Sequence, residues 1–312
     1  MMLLVTGGCG FIGSNLCHEL IKNHKVRVLD NLSTGYMKNI SSLLDNSNFE
    51  FMHGDIADFE ICMKACENVD YIFHQAARPS VIRSFADPAS TFRVNVEGTT
   101  NIFQAALKQQ CKRIIFASSS SVYGDAQQLP KHEEQSLYPK SPYALSKLAN
   151  EQISKIYFDT YGLESIGLRY FNVVGRRQDP TSEYAAVVPN FIKANLSGES
   201  PHIFGDGEQT RDFCPINNVV QANICSMNAK LNDKTPRIFN IACGKQYTVN
   251  YLSNKINEIM SMSNKPVYLS PRKGDIRHSL ADIGYAQKHL GYNINDTLEQ
   301  ALCQTIDWMK NE

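Results

Sequence analysis

Two stretches carry side chains that could move a proton. Ser141 to Lys147 reads SPYALSK, which sets Tyr143 and Lys147 four residues apart. On a helix that spacing puts both on one face, and Ser141 followed by Pro142 is a good helix start. A phenol titrates near ~10 and is a poor base at neutral pH, so it needs a nearby cation to favour the phenolate. An ammonium one turn away is such a cation. Taken alone, the pair equally describes an amphipathic helix with a partly exposed Tyr and Lys. The second stretch, Ala117 to Asp125, reads ASSSSVYGD and follows the apolar run CKRIIF. Four serines after a buried strand are either a surface turn or a strand end that aims hydroxyls at something polar.

The elements that must hold these groups follow an alternating rhythm. Strand-like runs are MLLV (2–5), KVRVL (25–29), FEFM (49–52), VDYIF (69–73), RIIFA (113–117) and ESIGLR (164–169). Helical patterns over 11–23, 58–66, 89–110 and 142–161 lie between them. Such alternation predicts an α/β fold, a Rossmann-type doubly wound parallel sheet with helices on both faces. After about residue 175 the rhythm breaks into helical segments (184–197, 217–230, 249–260, 283–290 and 296–310) joined by turn-rich stretches. The expected organisation is a nucleotide-binding domain over 1–175 and a smaller mixed domain over 176–312. The strand-like RIFNIA (237–242) is a candidate to return to the first sheet.

Between the first strand and the first helix, Thr6 to Gly13 reads TGGCGFIG. Gly7 permits a tight turn, Gly10 lets backbone approach a pyrophosphate, and Gly13 lets the helix pack on the sheet with its amides facing phosphate. Asp30 ends the second strand, 17 residues past Gly13. A carboxylate there suits a ribose diol and repels a 2′-phosphate, which favours NAD over NADP. Asp55 ends the third strand and reaches either the adenine side or the start of the next helix. Ligands in such folds bind beyond the carboxyl ends of the strands, so the serines of the fifth strand end become hydroxyls for a reacting alcohol.

Composition narrows the classes. Lys+Arg and Asp+Glu each number 31 among 312 residues, so the formal net charge is zero and no basic footprint for nucleic acid is present. Apolar runs fall far short of the ~20 residues of a membrane span, and MMLLVTGG reads as a first strand rather than a signal peptide. Nine cysteines at irregular spacings, with no CxxC, predict free buried thiols in a reducing cytoplasm. The eight histidines show no ligand spacing, and no metal is expected.

The combination of TGGCGFIG, Asp30, SSSSVYG and SPYALSK resembles the extended short-chain dehydrogenase/reductase superfamily. More narrowly it is similar to the UDP-hexose 4-epimerases, above all the branch acting on UDP-N-acetylglucosamine. The likeness spans nearly the whole chain and includes HQAARPSV (74–81), NVEGT (95–99), GLRYFNVVGRRQDP (167–180), YAAVVPNFI (184–192), GDGEQTRDF (205–213) and RKGDIRHS (272–279). The resemblance implies that Tyr143 is the catalytic base, tuned by Lys147, and that Ser119 shares a hydrogen bond with the sugar. It implies NAD contacts from Gly7, Gly10, Phe11, Ile12 and Gly13. Further contacts are implied from Asp30, Asn31, Ser33, Gly35, Asp55 and Ile56, and from Gln75, Ala76, Ala77, Asn95 and Tyr170. Around the UDP-sugar it implies Ser80, Ser120, Asn172, Ala186 and Val187. Arg211, Arg272 and Asp275 would hold the diphosphate and uridine ribose.

The related 4,6-dehydratases resemble Thr-Asp-Glu where this chain has Ser119, Ser120 and Ser121, and the uronate decarboxylases carry a Glu before VYG. With no carboxylate there, oxidation at C4 and re-reduction of the 4-keto sugar from its other face is the implied chemistry. The position matching Ser279 acts in the family as a size gate, and a small serine implies acceptance of an N-acetyl group. N-acetylhexosaminuronates are a variant, because Arg78, Arg83, Arg176 and Arg177 could pair with a carboxylate, and UDP-glucose is another. More distant rivals are a net dehydrogenase and a non-catalytic NAD sensor, though a sensor would be expected to lack the Tyr/Lys pair. The family also implies a homodimer paired through helices 89–110 and 142–161.

Overall fold

The computed structural model describes residues 1–126, 128–180, 186–271 and 276–311. Its centre is a seven-stranded sheet built from β1 (Met2–Thr6), β2 (Lys25–Asp30), β3 (Phe49–His53), β4 (Tyr71–His74), β5 (Arg113–Ser119), β6 (Ser165–Tyr170) and, much later, β11 (Ile238–Ile241). The order is β11-β6-β5-β4-β1-β2-β3 and every pairing is parallel. The order reverses between β1 and β4, which opens a crevice above their carboxyl ends.

Helices cover both faces, which is why the central strands read as continuous apolar runs. On one face, α1 (Phe11–Leu20), α8 (Ile216–Asn228) and α10 (Gly284–Leu290) pack Leu16, Val219 and Leu290 against Leu3, Val5 and Phe239. On the other, α2 (Phe59–Ala65), α5 (Gly98–Lys108) and α6 (Pro142–Tyr161) flank a core of Leu4, Ile72, Phe103 and Phe116. Between β4 and α5 lie α3 (Val81–Ala86) and α4 (Pro88–Phe92). A further core, with Phe191, Ile203, Leu252 and Leu302, joins α7 (Val187–Leu196), α9 (Val249–Met260) and α11 (Leu298–Lys310). Short pairs complete that half: β7 (Val173–Val174) with β10 (Cys214–Pro215), β8 (His202–Phe204) with β13 (Val267–Leu269), and β9 (Thr210–Arg211) with β12 (Tyr247–Thr248).

Three sequence expectations change. The helix expected over 89–110 is interrupted by a π-helical turn at Arg93–Glu97. There Thr99 and Thr100 hydroxyls donate to the Asn95 and Val96 carbonyls, and Gly98 lies so near Ile56 that a Cβ would sit 2.6 Å from it. The fifth strand runs on through Ser118 and Ser119, which pair with Arg169 and Tyr170 of β6, before a 3-10 turn at Ser120–Tyr123. The α2 cap is Asp58, whose carboxylate accepts from the Glu60 and Ile61 amides, and not Asp55.

Candidate active site

A cleft of about 700 Å³ lies above the carboxyl ends of the strands. At one end the glycine turn forms its floor. Gly7 sits at φ +69, and a Cβ there would lie 2.7 Å from the Ala76 backbone. A Cβ on Gly13 would lie 2.1 Å from the Gly7 carbonyl oxygen, so α1 can start this close to β1 only with glycine. No side chain caps α1 and no acid stands in its first turn, which leaves its amides and positive dipole end available to an anion.

Asp30 is buried on the cleft wall. Its Oδ1 accepts from the Leu32 amide at 2.8 Å and its Oδ2 from the Cys9 amide at 2.9 Å, tying β2 to the glycine turn. Burial raises this carboxyl above the usual carboxylate range despite both amides. Asn31, Ser33, Gly35, Asp55 and Ile56 line the same end, with Asp55 Oδ2 accepting from Asn31 Nδ2 at 3.0 Å. Arg27 turns away, donating to Glu50 and to the Ala65 and Glu67 carbonyls.

At the other end, β5 and α6 bring the proton-moving groups together. Tyr143 and Ser119 share the cleft wall, and Lys147 stands with Nζ 5.9 Å from the centre of the Tyr143 ring. The α6 start is set by Ser141, whose hydroxyl accepts from the Ala144 amide, followed by Pro142. Lys147 is buried and donates to the Ala117 carbonyl at 2.8 Å. Burial pushes its amine down to about 8. Burial likewise raises the Tyr143 phenol, with only the neighbouring Ser119 hydroxyl opposing. The amine alone therefore does not acidify the phenol.

Gln75, Ala76, Ala77, Ser80, Tyr170, Asn172, Ala186, Val187 and Arg211 also line the cleft. Ser80 (φ 93) and Asn172 (φ 20) hold backbone conformations that side chains rarely adopt. Asn95 is no part of the cleft wall: it is buried in the π turn and pins Arg78 through the backbone N–H and carbonyl. Ser120 begins the 3-10 turn off the wall, and Ser279 is half-buried beside it, its amide donating to Thr210 O at 3.1 Å. Arg272 and Asp275 lie outside the described residues. Among the described residues no cluster of His, Cys, Asp or Glu could hold a metal ion. His74 is buried between the Thr6 and Thr99 hydroxyls and pushed down to about 3 by that burial, a packing residue.

Several residues of this region were invisible to sequence reading. Asn223 of α8 donates to the Tyr170 hydroxyl at 2.9 Å and accepts from Gln75, so a distant helix orients two cleft side chains. Tyr36 donates to Asp179 at 3.0 Å, joining the loop after β2 to the segment after β7 beside the cleft. Gln209 and Gln178 each place a buried, unpartnered carbonyl oxygen on the walls. Among these, Gln178 and Asp179 in GRRQDP and Gln209 in GDGEQTRDF fall in stretches that the sequence singled out. Of the four arginines weighed for a carboxylate, Arg78 pairs with Asp87, and Arg176 and Arg177 dock on Asn15 and His18 of α1. Arg83 lines the cleft near Ser80.

Known proteins share this architecture. The structure of a UDP-N-acetylglucosamine 4-epimerase from Methanobrevibacter ruminantium M1, in complex with UDP-N-acetylmuramic acid, is 40% identical, with TM-score 0.93 over 99% of this chain and 98% of that one. A UDP-glucose 4-epimerase from Thermotoga maritima, with UDP-glucose, is 37% identical, with TM-score 0.93 over 100% and 99%. A Bacillus cereus UDP-glucuronic acid 4-epimerase in complex with UDP-glucuronic acid and NAD is 31% identical, with TM-score 0.92 over 100% and 99%. NAD fits the residues present: a tight glycine turn with no side chain at Gly7, Gly10 or Gly13, an uncapped helix N-terminus and a carboxylate at the end of β2. The model of the NAD dependent epimerase/dehydratase family matches residues 3–242, and the chain belongs to that family.

Proposed function

We propose that the chain interconverts the C4 epimers of a UDP-sugar, with UDP-N-acetylglucosamine and UDP-N-acetylgalactosamine the favoured pair. One observation carries this reading. The cleft places the Tyr143 phenol and the Ser119 hydroxyl on one wall with the Lys147 amine buried beside them, and the three serines 119–121 stand where the resemblance puts a carboxylate in the dehydratases and decarboxylases.

NAD bound against the glycine turn supplies the acceptor, and then the donor, of a hydride. The Gly7–Gly13 turn holds its diphosphate, Asp30 its adenosine ribose, and Lys147 the ribose beside Tyr143. Tyr143 takes the proton of the sugar 4-hydroxyl, Ser119 accepts and donates at the same oxygen, and a 4-keto sugar results. Arg211, Arg272, Asp275 and Asn172 hold the UDP end while the sugar turns over, and Ala186 and Val187 line its path. Tyr143 then returns the proton.

The N-acetyl preference rests on Ser279, a small residue whose backbone is tied to Thr210, next to Arg211 on the wall. It also rests on the 40% identical relative. We assign 1–175 mainly to the nucleotide and 176–312 mainly to the sugar. We propose a cytoplasmic homodimer, and the exposed Leu145 and Ile156 on one face of α6 favour the pairing. Arg83 on the cleft supports a second reading, in which a carboxylated UDP-sugar is used.

Incubation of the purified protein with UDP-GlcNAc, UDP-Glc and UDP-GlcNAcA separately, without added NAD, decides between them by chromatography. UDP-GlcNAc is expected to yield its 4-epimer with no lasting change in nicotinamide absorbance. Conversion of UDP-GlcNAcA alone favours the Arg83 reading, and conversion of none overturns both.

A further inference from the structure

Three successive turns of α6 meet three successive residues of β5. Tyr143 shares the cleft wall with Ser119, Lys147 Nζ donates to Ala117 O at 2.8 Å, and Ser118 Oγ donates to Glu151 Oε1 at 2.5 Å. Positions 143, 147 and 151 share one stripe of the helix, so that stripe grips the carboxyl end of the strand. The third contact stands apart, because Glu151 is 5% exposed and is not on the cleft wall. Its charge is matched by Arg169 of β6, whose Nε and Nη2 reach its two oxygens at 2.9 and 2.7 Å. Arg169 Nη1 donates in turn to the Tyr123 hydroxyl, which donates to Asn240 of β11. The mechanism above uses none of these groups.

A buried ion pair is weak as a source of stability, since well-packed apolar side chains do as well. Its strength is direction. A planar guanidinium fixes both carboxylate oxygens, and the lone pair left on Oε1 points along one line, to Ser118. Ser118 adjoins Ser119 on the strand, and Glu151 lies two turns from Tyr143 on the helix.

We propose that Glu151 is a positioning residue: clamped by Arg169 and acting through Ser118, it sets the register of α6 on β5 that brings the Tyr143 phenol to Ser119. The proposal deepens the 4-epimerase reading and rests on it for its kinetic arm only. Displacing a reacting group by about an ångström costs roughly a hundredfold in rate, so a partial loss of register is expected to show in kcat.

Ser118→Ala removes the link and leaves the ion pair standing. Ser154→Ala is its control, deleting a similar buried hydroxyl contact on the same helix, to Ser165 at 2.7 Å, remote from the phenol. Four quantities are read in each variant: kcat and KM with the UDP-sugar the parent converts, the NAD retained on purification, and the titration of the Tyr143 phenol from its phenolate absorbance against a Tyr143→Phe background. Ser118→Ala is expected to lower kcat about tenfold or more, with KM within about twofold and NAD retained. It is also expected to raise the phenol titration, as Tyr143 loses its place beside the Ser119 hydroxyl. Glu151→Gln moves both the same way, and Ser154→Ala moves neither. Parental kcat and titration in Ser118→Ala overturn the proposal, as does an equal kcat loss in Ser154→Ala, which makes the contact general helix docking. If the parent converts no UDP-sugar, the 4-epimerase reading fails and the phenol titration alone decides this one.

Discussion

Tyr143 and Lys147 illustrate how burial sets terms that sequence spacing cannot. Both sit where charge is disfavoured: the phenol is raised and the amine is pushed down to about 8. A phenolate in this pocket needs more positive charge than Lys147 supplies alone, and the nicotinamide of bound NAD carries it. Tyr143→Phe is expected to abolish turnover, by about a hundredfold to ten-thousandfold, while NAD stays bound; assay and cofactor content of the same preparation check this. Lys147 gives a pH prediction with a definite sign. Its folded value, about 8, lies below its ordinary 10.5, so the folded chain holds fewer protons between them. The cost of burying the ammonium is full below about pH 8, shrinks as pH rises, and is gone above 10.5. In cofactor-stripped protein, Lys147→Met should therefore be the more stable form at pH 7, by about 3 kcal/mol at most. The melting-temperature gap between the two should close as pH rises through that window. A gap that stays flat or widens refutes the assignment.

At the scale of elements, the parts read from sequence are those whose instructions are local. The glycine turn, the Ser-Pro start of α6 and the apolar strands each need only their own residues, and each lies where expected. Gly13 shows how strict such a signal is. Its Cβ would meet backbone, not a yielding side chain, so Gly13→Ala should destabilise by about 2–3 kcal/mol and strip NAD, as melting and cofactor content would report. What stayed hidden depends on partners far away in the chain. The π turn at 93–97 answers to Ile56, the Ser118–Glu151–Arg169 chain joins three elements, and Asn223 reaches Tyr170 from α8. Asn95 was expected to line the cofactor and instead shapes the wall indirectly, by pinning Arg78. No periodicity within one segment encodes such contacts.

Over the whole molecule, α6 carries Tyr143 and Lys147 on its inner stripe and exposed Leu145 and Ile156 on its outside. An apolar outer face on the catalytic helix predicts sedimentation at about twice 35.1 kDa. Ile156→Glu is expected to shift the protein to the monomer, and an unchanged sedimentation coefficient would place the interface elsewhere. The sheet has its own long-range dependence. β11 (Ile238–Ile241) enters long after β6 ends at Tyr170, and it seals β6, every residue of which is buried. During synthesis that flank stays open until Ile241 has left the ribosome, a long interval in which an apolar strand offers its unpaired backbone to any neighbour. A nascent chain stalled short of that point should be held by chaperones or lost to inclusion bodies, whatever the merits of its nucleotide cradle.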